Sequence, residues 1–411
     1  MIAAMTLDWY SATVRERLFR AAADTRRIGA EIELLPLLAD TGAVCPLRQP
    51  LPGDDRSTLV FVRTFGASRG WSELRSPKGA PYFALRSGET LTFEPGGQLE
   101  LSSPPFDSAS ELIAHVRDVL EPLHSAAADA GIELASVGID PWNDVLAAPL
   151  QLDSDRYRRM TTYFERRGGN GVRMMRQTAA TQISVDTGTD PCARWRLLCD
   201  LAPFLTAIFA NSSRYAGNET GYRSFRAHCW RTLDPSRTGI PYPDIEAPEA
   251  YTRFALEATD MMRTDRDGAY QSFGDWVAAG DASDAQWENH LTTLFPEVRP
   301  RGHLEVRSID ALPLYALAAP IVMLAGLTYH EPTAHEARDL LPAADEALLI
   351  RAARCGLRDE ELDTQAQSLV TLALRGARAL GTSYLATRDI DAAEAFFDRF
   401  TRRGHSPADE R

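Results

Sequence analysis

Two glutamates, Glu94 and Glu100, flank a Pro-Gly-Gly break in the stretch Thr90–Pro104, TLTFEPGGQLELSSP, and place acid where a sheet usually places neutral residues. Leu91 and Phe93 alternate with Thr92 and Glu94, and Leu99 and Leu101 alternate with Gln98, Glu100 and Ser102, the period-two pattern of a hairpin. With Pro95–Gly97 as the loop, Glu94 faces Gln98 and Glu100 faces Thr92. Both carboxylates then share one face, within roughly 7–8 Å diagonally. Alone, such a pair reads as the solvated side of a hairpin resting on the core. Two further stretches repeat the pattern. In IGAEIELLPLL, from Ile28 to Leu38, Glu31 and Glu33 fall opposite Ala30, Ile32 and Leu34. In GHLEVRSID, from Gly302 to Asp310, His303, Glu305 and Arg307 fall opposite Leu304 and Val306. Three such strands in one antiparallel sheet make a carboxylate-lined surface suited to hard divalent cations, magnesium first among them.

The elements that must position these groups belong to a chain of 411 residues, enough for one large domain or two. A net charge of −13 argues against a nucleic-acid partner. Lys78, in SPKG, is the only lysine, so no Walker A loop exists, and no GxGxxG follows a strand. The five cysteines are odd in number with no CxxC pair, which reads as reduced thiols in a cytosol. The first residues lack the pattern of a secretory signal, and no apolar run reaches membrane-spanning length.

Along the chain, Asp8–Arg27 reads as an amphipathic helix and Ala39–Gly88 as irregular, with LVFV as an added strand. Ser108 and Glu111 form a capping box for a helix towards Gly131, and Ile132–Ile139 reads as a strand. Asp153 caps a helix through Arg166, followed by the loop RRGGNG. Met174–Asp186 reads as a further strand, with Thr178, Ala180, Gln182, Ser184 and Asp186 on its polar face, and Asp190–Ser213 as a buried helix. From Arg214 to Pro248, arginines interleave with Tyr222, Phe225 and Trp230, a pattern able to clamp phosphates or carboxylates. Ala285–Leu294 is a helix, and everything after Asp310 reads as helical to Phe400, with a frayed tail beyond. His330, Glu331, His335 and Glu336 imitate a zincin motif, but the histidines are five apart with Pro332 between. Asp265, Asp267 and Gly268 resemble part of an EF-hand loop but lack its closing glutamate.

The stretches IGAEIE, FEPGGQLELSSPP, MMRQTAATQISVD, NSSRYAGNETGYRSFRAHCWRTLDPSRTG and HLTTLFPEVRPRGHLEVRSID, in this order from about Ile28 to Asp310, resemble the plant-type glutamate–cysteine ligases, most closely their bacterial ergothioneine-pathway branch. The resemblance implies an α+β, glutamine-synthetase-like ligase fold: a curved antiparallel β-sheet funnel with helices packed outside. It implies a cytoplasmic enzyme, monomer or homodimer, that uses ATP and Mg2+ to join the γ-carboxylate of glutamate to the amine of cysteine through a γ-glutamyl phosphate. By motif position Glu31, Glu33, Glu94, Glu100, Gln182 and Glu305 look like the magnesium set. Arg226 and Arg307 look like the catalytic arginines; Gln182, Tyr222, Trp230, Arg226 and Arg307 look like nucleotide-binding residues, and Thr178 and Arg226 like substrate-binding ones. Residues 1–310 are expected to form the catalytic region, 311–403 a helical region on the same domain, and 404–411 a disordered tail. An acceptor other than cysteine, or a silent metabolite-binding relative, stays open on the sequence alone.

Overall fold

The computed structural model describes residues 7–22, 25–50, 53–76, 80–242 and 244–410. Its centre is β1 (Ile28–Leu38), an eleven-residue strand whose two halves take different partners. The first half pairs antiparallel with β5 (Leu99–Ser102) on one side and β7 (Thr181–Val185) on the other, and the second half pairs with β6 (Ile132–Ala135). Around them the sheet takes in β2 (Ser72–Arg75), β3 (Pro81–Ala84), β4 (Thr90–Phe93), β10 (Val298–Pro300) and β11 (Leu304–Val306), while β8 (Arg214–Tyr215) and β9 (Asn218–Glu219) form a separate small hairpin. Its order is β10-β11-β7-β1-β5-β4-β3-β2, with β6 attached to β1, and every pairing is antiparallel.

Alternation along β1 decides the layers. Ile28, Ala30, Ile32 and Leu34 are buried in one hydrophobic core with helices Ala109–Asp129, Pro191–Ile208, Ala318–Thr328 and Glu360–Ala379. Gly29, Glu31 and Glu33 are thereby left on the other face. The helix Ala318–Thr328 is buried all round because it crosses Glu360–Ala379 at glycine: a Cβ on Gly326 would lie 2.1 Å from the Ala373 carbonyl oxygen. The helices after Asp310 thus share a core with the sheet.

Local signals correct several expectations. LVFV belongs to the helix Thr58–Arg69, because Ser57 caps its start, Gly70 in the left-handed region ends it, and Leu59, Val62 and Gly66 form its buried face. The N-terminal helix is Leu7–Arg17 and stops well short of Arg27. Ser154, not Asp153, caps the helix Asp155–Glu165. The run from Met174 is helical to Gln177, as part of Asn170–Gln177, and becomes strand only at Thr181. The tail, as far as its described residues run to Glu410, folds back onto the body. Ser406 and Asp409 close a capping box around a 3-10 turn, Ala408 N–H donates to the Ala210 carbonyl at 2.9 Å, and Asp409 pairs with Arg223 and Arg358 at 3.2 and 2.6 Å.

Candidate active site

The strand registers put every predicted acidic group on one face. Glu33 lies opposite Glu100 across β1 and β5, Glu100 opposite Thr92 across β5 and β4, Glu31 opposite Gln182 across β1 and β7, and Glu305 opposite Ser184 across β11 and β7. The hairpin closes as its sequence predicts, with Glu94 N–H donating to the Gln98 carbonyl at 2.9 Å. Glu31, Glu33, Glu94 and Glu100 line one cavity of about 220 Å³, together with Gln182, Thr178, Arg226, Trp230, Arg299 and Arg307.

The cavity separates charge by sign. On the acidic side, burial raises all four carboxyls. Glu31 and Glu100 reach about 7, each lifted further by another glutamate of the set, and Glu33 reaches about 6, restrained by Arg226 and Arg307. Glu94 rises well above the usual range through burial and the charges of Glu100, Glu33 and Glu31. Glu33 accepts from Ala180 N–H at 2.7 Å and from Gln182 Nε2 at 2.9 Å. Glu100 accepts from Thr92 and Ser102 hydroxyls at 3.1 and 3.0 Å. On the basic side, burial opposes ionisation of Glu305, but Arg299, Arg307 and Arg301 hold it well below the usual carboxylate range. Arg307 bonds Glu305 and donates to Gln182 Oε1 at 2.7 Å. Trp230 lies under both guanidiniums, 5.1 Å from Arg226 and 5.3 Å from Arg307, and donates its indole N–H to the Phe295 carbonyl at 2.9 Å.

The donor set on the acidic side is all oxygen, and its mutual repulsion is what a hard divalent cation relieves, so Glu31, Glu33, Glu94 and Glu100 fit such an ion. Among the described residues no three His, Cys, Asp or Glu side chains already converge as a cage. Glu305 belongs to the arginine side and Gln182 bridges the two sides, and at both a cation would compete with Arg307 for the side-chain oxygen. Among the described residues nothing accepts a hydrogen bond from the buried Nε atoms of Arg226 and Arg307, which suits an anionic ligand between these arginines and the carboxylates.

A family profile described as glutamate-cysteine ligase family 2 matches residues 38–410. The chain belongs to this family. Similar relatives carry the same activity in their names: glutamate–cysteine ligase EgtA of Mycolicibacterium smegmatis is 32% identical over 83% of this chain and 81% of its own length. The chloroplastic glutamate–cysteine ligase of Arabidopsis thaliana is 31% identical over 94% of this chain and 76% of its own. Among solved structures, a glutamate–cysteine ligase from Francisella tularensis in complex with AMP aligns over 93% of this chain and 83% of its own, with a TM-score of 0.54 at 13% identity, a likeness of fold. The fold is the α+β, glutamine-synthetase-like one.

Within the family fold, Thr178 lines the cavity wall, with its hydroxyl donated to the Met174 carbonyl and its own carbonyl held by Gln98 Nε2 at 3.0 Å. Tyr222 is absent from the cavity's lining; it stacks on His228 at 4.2 Å. Several lining residues escape prediction from the sequence, two arginines and a tyrosine among them. Arg156 and Tyr157 stand on the helix Asp155–Glu165, where Arg156 donates to Asn289 and to the Thr292 carbonyl; an amphipathic period places them, and nothing in it marks a ligand. Arg299 was legible, since it faces Glu305 directly across the β10–β11 hairpin. A second cavity of about 480 Å³ opens on the same sheet face, lined by Thr25, Arg27, Gly29, Ser103, Ser184, Asp186 and His303, and shares Glu31 with the first. The described helices include none long and apolar enough to cross a membrane.

Proposed function

We propose that this chain is the ATP-dependent ligase that its family membership implies, joining the γ-carboxylate of L-glutamate to the amine of L-cysteine. The observation that carries the reading is one cavity with four carboxylates on one wall and Arg226, Arg299 and Arg307 on the other. The γ-phosphoryl group of ATP passes to a glutamate carboxylate oxygen and ADP leaves. The cysteine nitrogen then attacks the acyl carbon, sheds a proton, and phosphate departs. Both partners in the first step are anions, and the guanidiniums of Arg307 and Arg226 stand where they offset that repulsion. Magnesium, held by Glu31, Glu33, Glu94 and Glu100 with Glu305 and Gln182 beside them, would supply charge neutralisation of the phosphates.

Glu31, the wall shared by the two cavities, divides the work. The larger cavity takes the nucleotide and the arginine-walled one takes the amino acids, with Thr178 and Trp230 among their neighbours. In this arrangement Tyr222 binds neither. A cytoplasmic setting, where ATP and thiols in reduced form are both at hand, suits the reaction. The test is ADP release with ATP, magnesium and glutamate, adding each common amino acid in turn, with mass spectrometry of the product. Turnover with cysteine and a γ-glutamylcysteine mass supports the reading. Preference for another amine leaves the site and overturns the acceptor, and no turnover overturns the enzyme.

A further inference from the structure

Arg226 is a buried cation, 3% exposed, at the second position of the helix Phe225–Leu233, and burying an unpaired charge is costly. Its counter-charge comes from Asp310, 1% exposed, whose Oδ1 lies 3.7 Å from Arg226 Nη1. That carboxylate is fixed by donors from two other segments. Oδ2 accepts from Asn211 N–H at 2.8 Å and from the Ser212 hydroxyl at 2.6 Å, both just beyond the helix Pro191–Ile208, and Oδ1 accepts from the Ser224 hydroxyl at 2.9 Å. The same two hydroxyls hold the backbone that carries Arg226: Ser212 Oγ accepts from Arg226 N–H at 3.2 Å, and Ser224 caps the helix by accepting from Ala227 N–H at 3.1 Å. On its far side the carboxylate rests on Gly138, where a Cβ would lie 2.5 Å from Asp310 Cγ, so only glycine leaves it this place.

The guanidinium is therefore gripped from behind. Nη1 faces Asp310, Nη2 donates to the Arg307 carbonyl at 2.8 Å, the plane rests over Trp230, and Nε has no partner among the described residues. Glu33 also feels its charge, across the cavity. We propose that Asp310 is a positioning residue for Arg226: its carboxylate is a socket that aims the guanidinium into the cavity and keeps it from pairing with Glu33. The role rests on the ligase reading above and adds to it a residue outside the cavity lining.

Chemical rescue separates positioning from mere structure. Arg226→Ala empties the socket, and guanidinium ion at millimolar concentration, far below denaturing levels, is expected to restore turnover roughly tenfold or more, while neutral urea of the same shape restores none. In Asp310→Asn/Arg226→Ala the rescue disappears. Asp310→Asn alone lowers kcat on the order of 10- to 100-fold with KM for ATP within about threefold, and its loss is not additive with Arg226→Ala. The socket is also read without turnover, as a rise in melting temperature of Arg226→Ala with guanidinium over urea. A wild type that does not turn over sinks the ligase reading and leaves this thermal comparison to decide on the socket. Equal effects of guanidinium and urea, or rescue that persists in the double variant, overturn the proposal. Should the double variant not fold, the guanidinium–urea contrast in Arg226→Ala decides alone.

Discussion

Replacing Glu100 by Gln asks whether the carboxylate wall is repulsion held in place for a cation. Burial, then the charge of Glu33, push the Glu100 carboxyl up to about 7 from an ordinary 4.5. One pKa unit is worth about 1.4 kcal/mol, so ionising this group in the metal-free fold costs at most about 3.5 kcal/mol, and solvent in the cavity reduces that to on the order of 1–2 kcal/mol. The sign is set by where the proton binds better. A carboxyl whose folded value exceeds its unfolded one contributes stability that is complete below 4.5 and lost as the pH rises through about 7. Glu100→Gln keeps the Oε1 that accepts from Thr92 and Ser102 and removes only the titration. At roughly 2 cal/mol/K per residue, the unfolding entropy of this chain converts 1–2 kcal/mol into a shift of about 1–2 °C. In calorimetry with EDTA, the variant is expected to melt that much above wild type near pH 8, about one unit above the folded value, and by a much smaller margin near pH 5, close to the unfolded one. Added magnesium raises the wild type at the higher pH and raises the variant less. A variant that melts below wild type at the higher pH, or above it by one margin at both, refutes the reasoning.

Arg307→Lys keeps a positive charge but cannot bond Glu305 and Gln182 together through a planar fork, so kcat should fall on the order of 10²- to 10³-fold in an ADP-release assay, with a smaller change in melting temperature. Gly96→Ala drives a Cβ to 2.1 Å from the Arg176 carbonyl oxygen, a backbone contact that cannot yield, and should cost about 1–3 kcal/mol or more in denaturant unfolding. Gln98→Ala strips donors from the Thr178 and Met175 carbonyls and an acceptor from Gly96 N–H; a loss of about 1–3 kcal/mol is expected by the same measurement, with KM for an amino acid rising because the Thr178 wall loosens.

What could be read in the sequence, and what could not, divides along periodicity. A period of two assigns faces, so Glu31, Glu33, Glu94, Glu100 and Glu305 could be placed together before any strand was paired, and the registers agree. The period fails where a strand is apolar on both sides, as in the second half of β1, where no acidic residue of β1 marks the face that pairs with β6. It also fails in short segments: MMRQ fits a strand or a helix, and the helix wins by turning Val172, Met174 and Met175 into the core under the cavity. Tyr222 shows a different limit. Interleaved arginines and aromatics are a one-dimensional pattern. Only a helix starting at Phe225 makes Arg226 and Trp230 neighbours four apart on the cavity side, while Tyr222, before that start, stacks on His228.

The one neutral member of the acidic set then has a physical reason. Gln182 lies between the two signs: its Nε2 donates to Glu33 at 2.9 Å and its Oε1 accepts from Arg307 at 2.7 Å. An amide satisfies a carboxylate and a guanidinium at once, and does so without charge. A carboxylate in its place would pair with Arg307 but add a further repulsion to Glu31, which it faces across β1 and β7, and to Glu33. A cation there would do the reverse, collapsing the acidic wall onto itself. Glu305 completes the separation from the other end, because Arg299, Arg301 and Arg307 pair with it, and Arg299 and Arg307 act on Glu31, and Arg307 on Glu33, only across space. The cavity therefore retains an unneutralised acidic wall and a partly free basic wall at short range, and the ligands that relieve both together are a divalent cation and an anionic phosphate or carboxylate bound side by side.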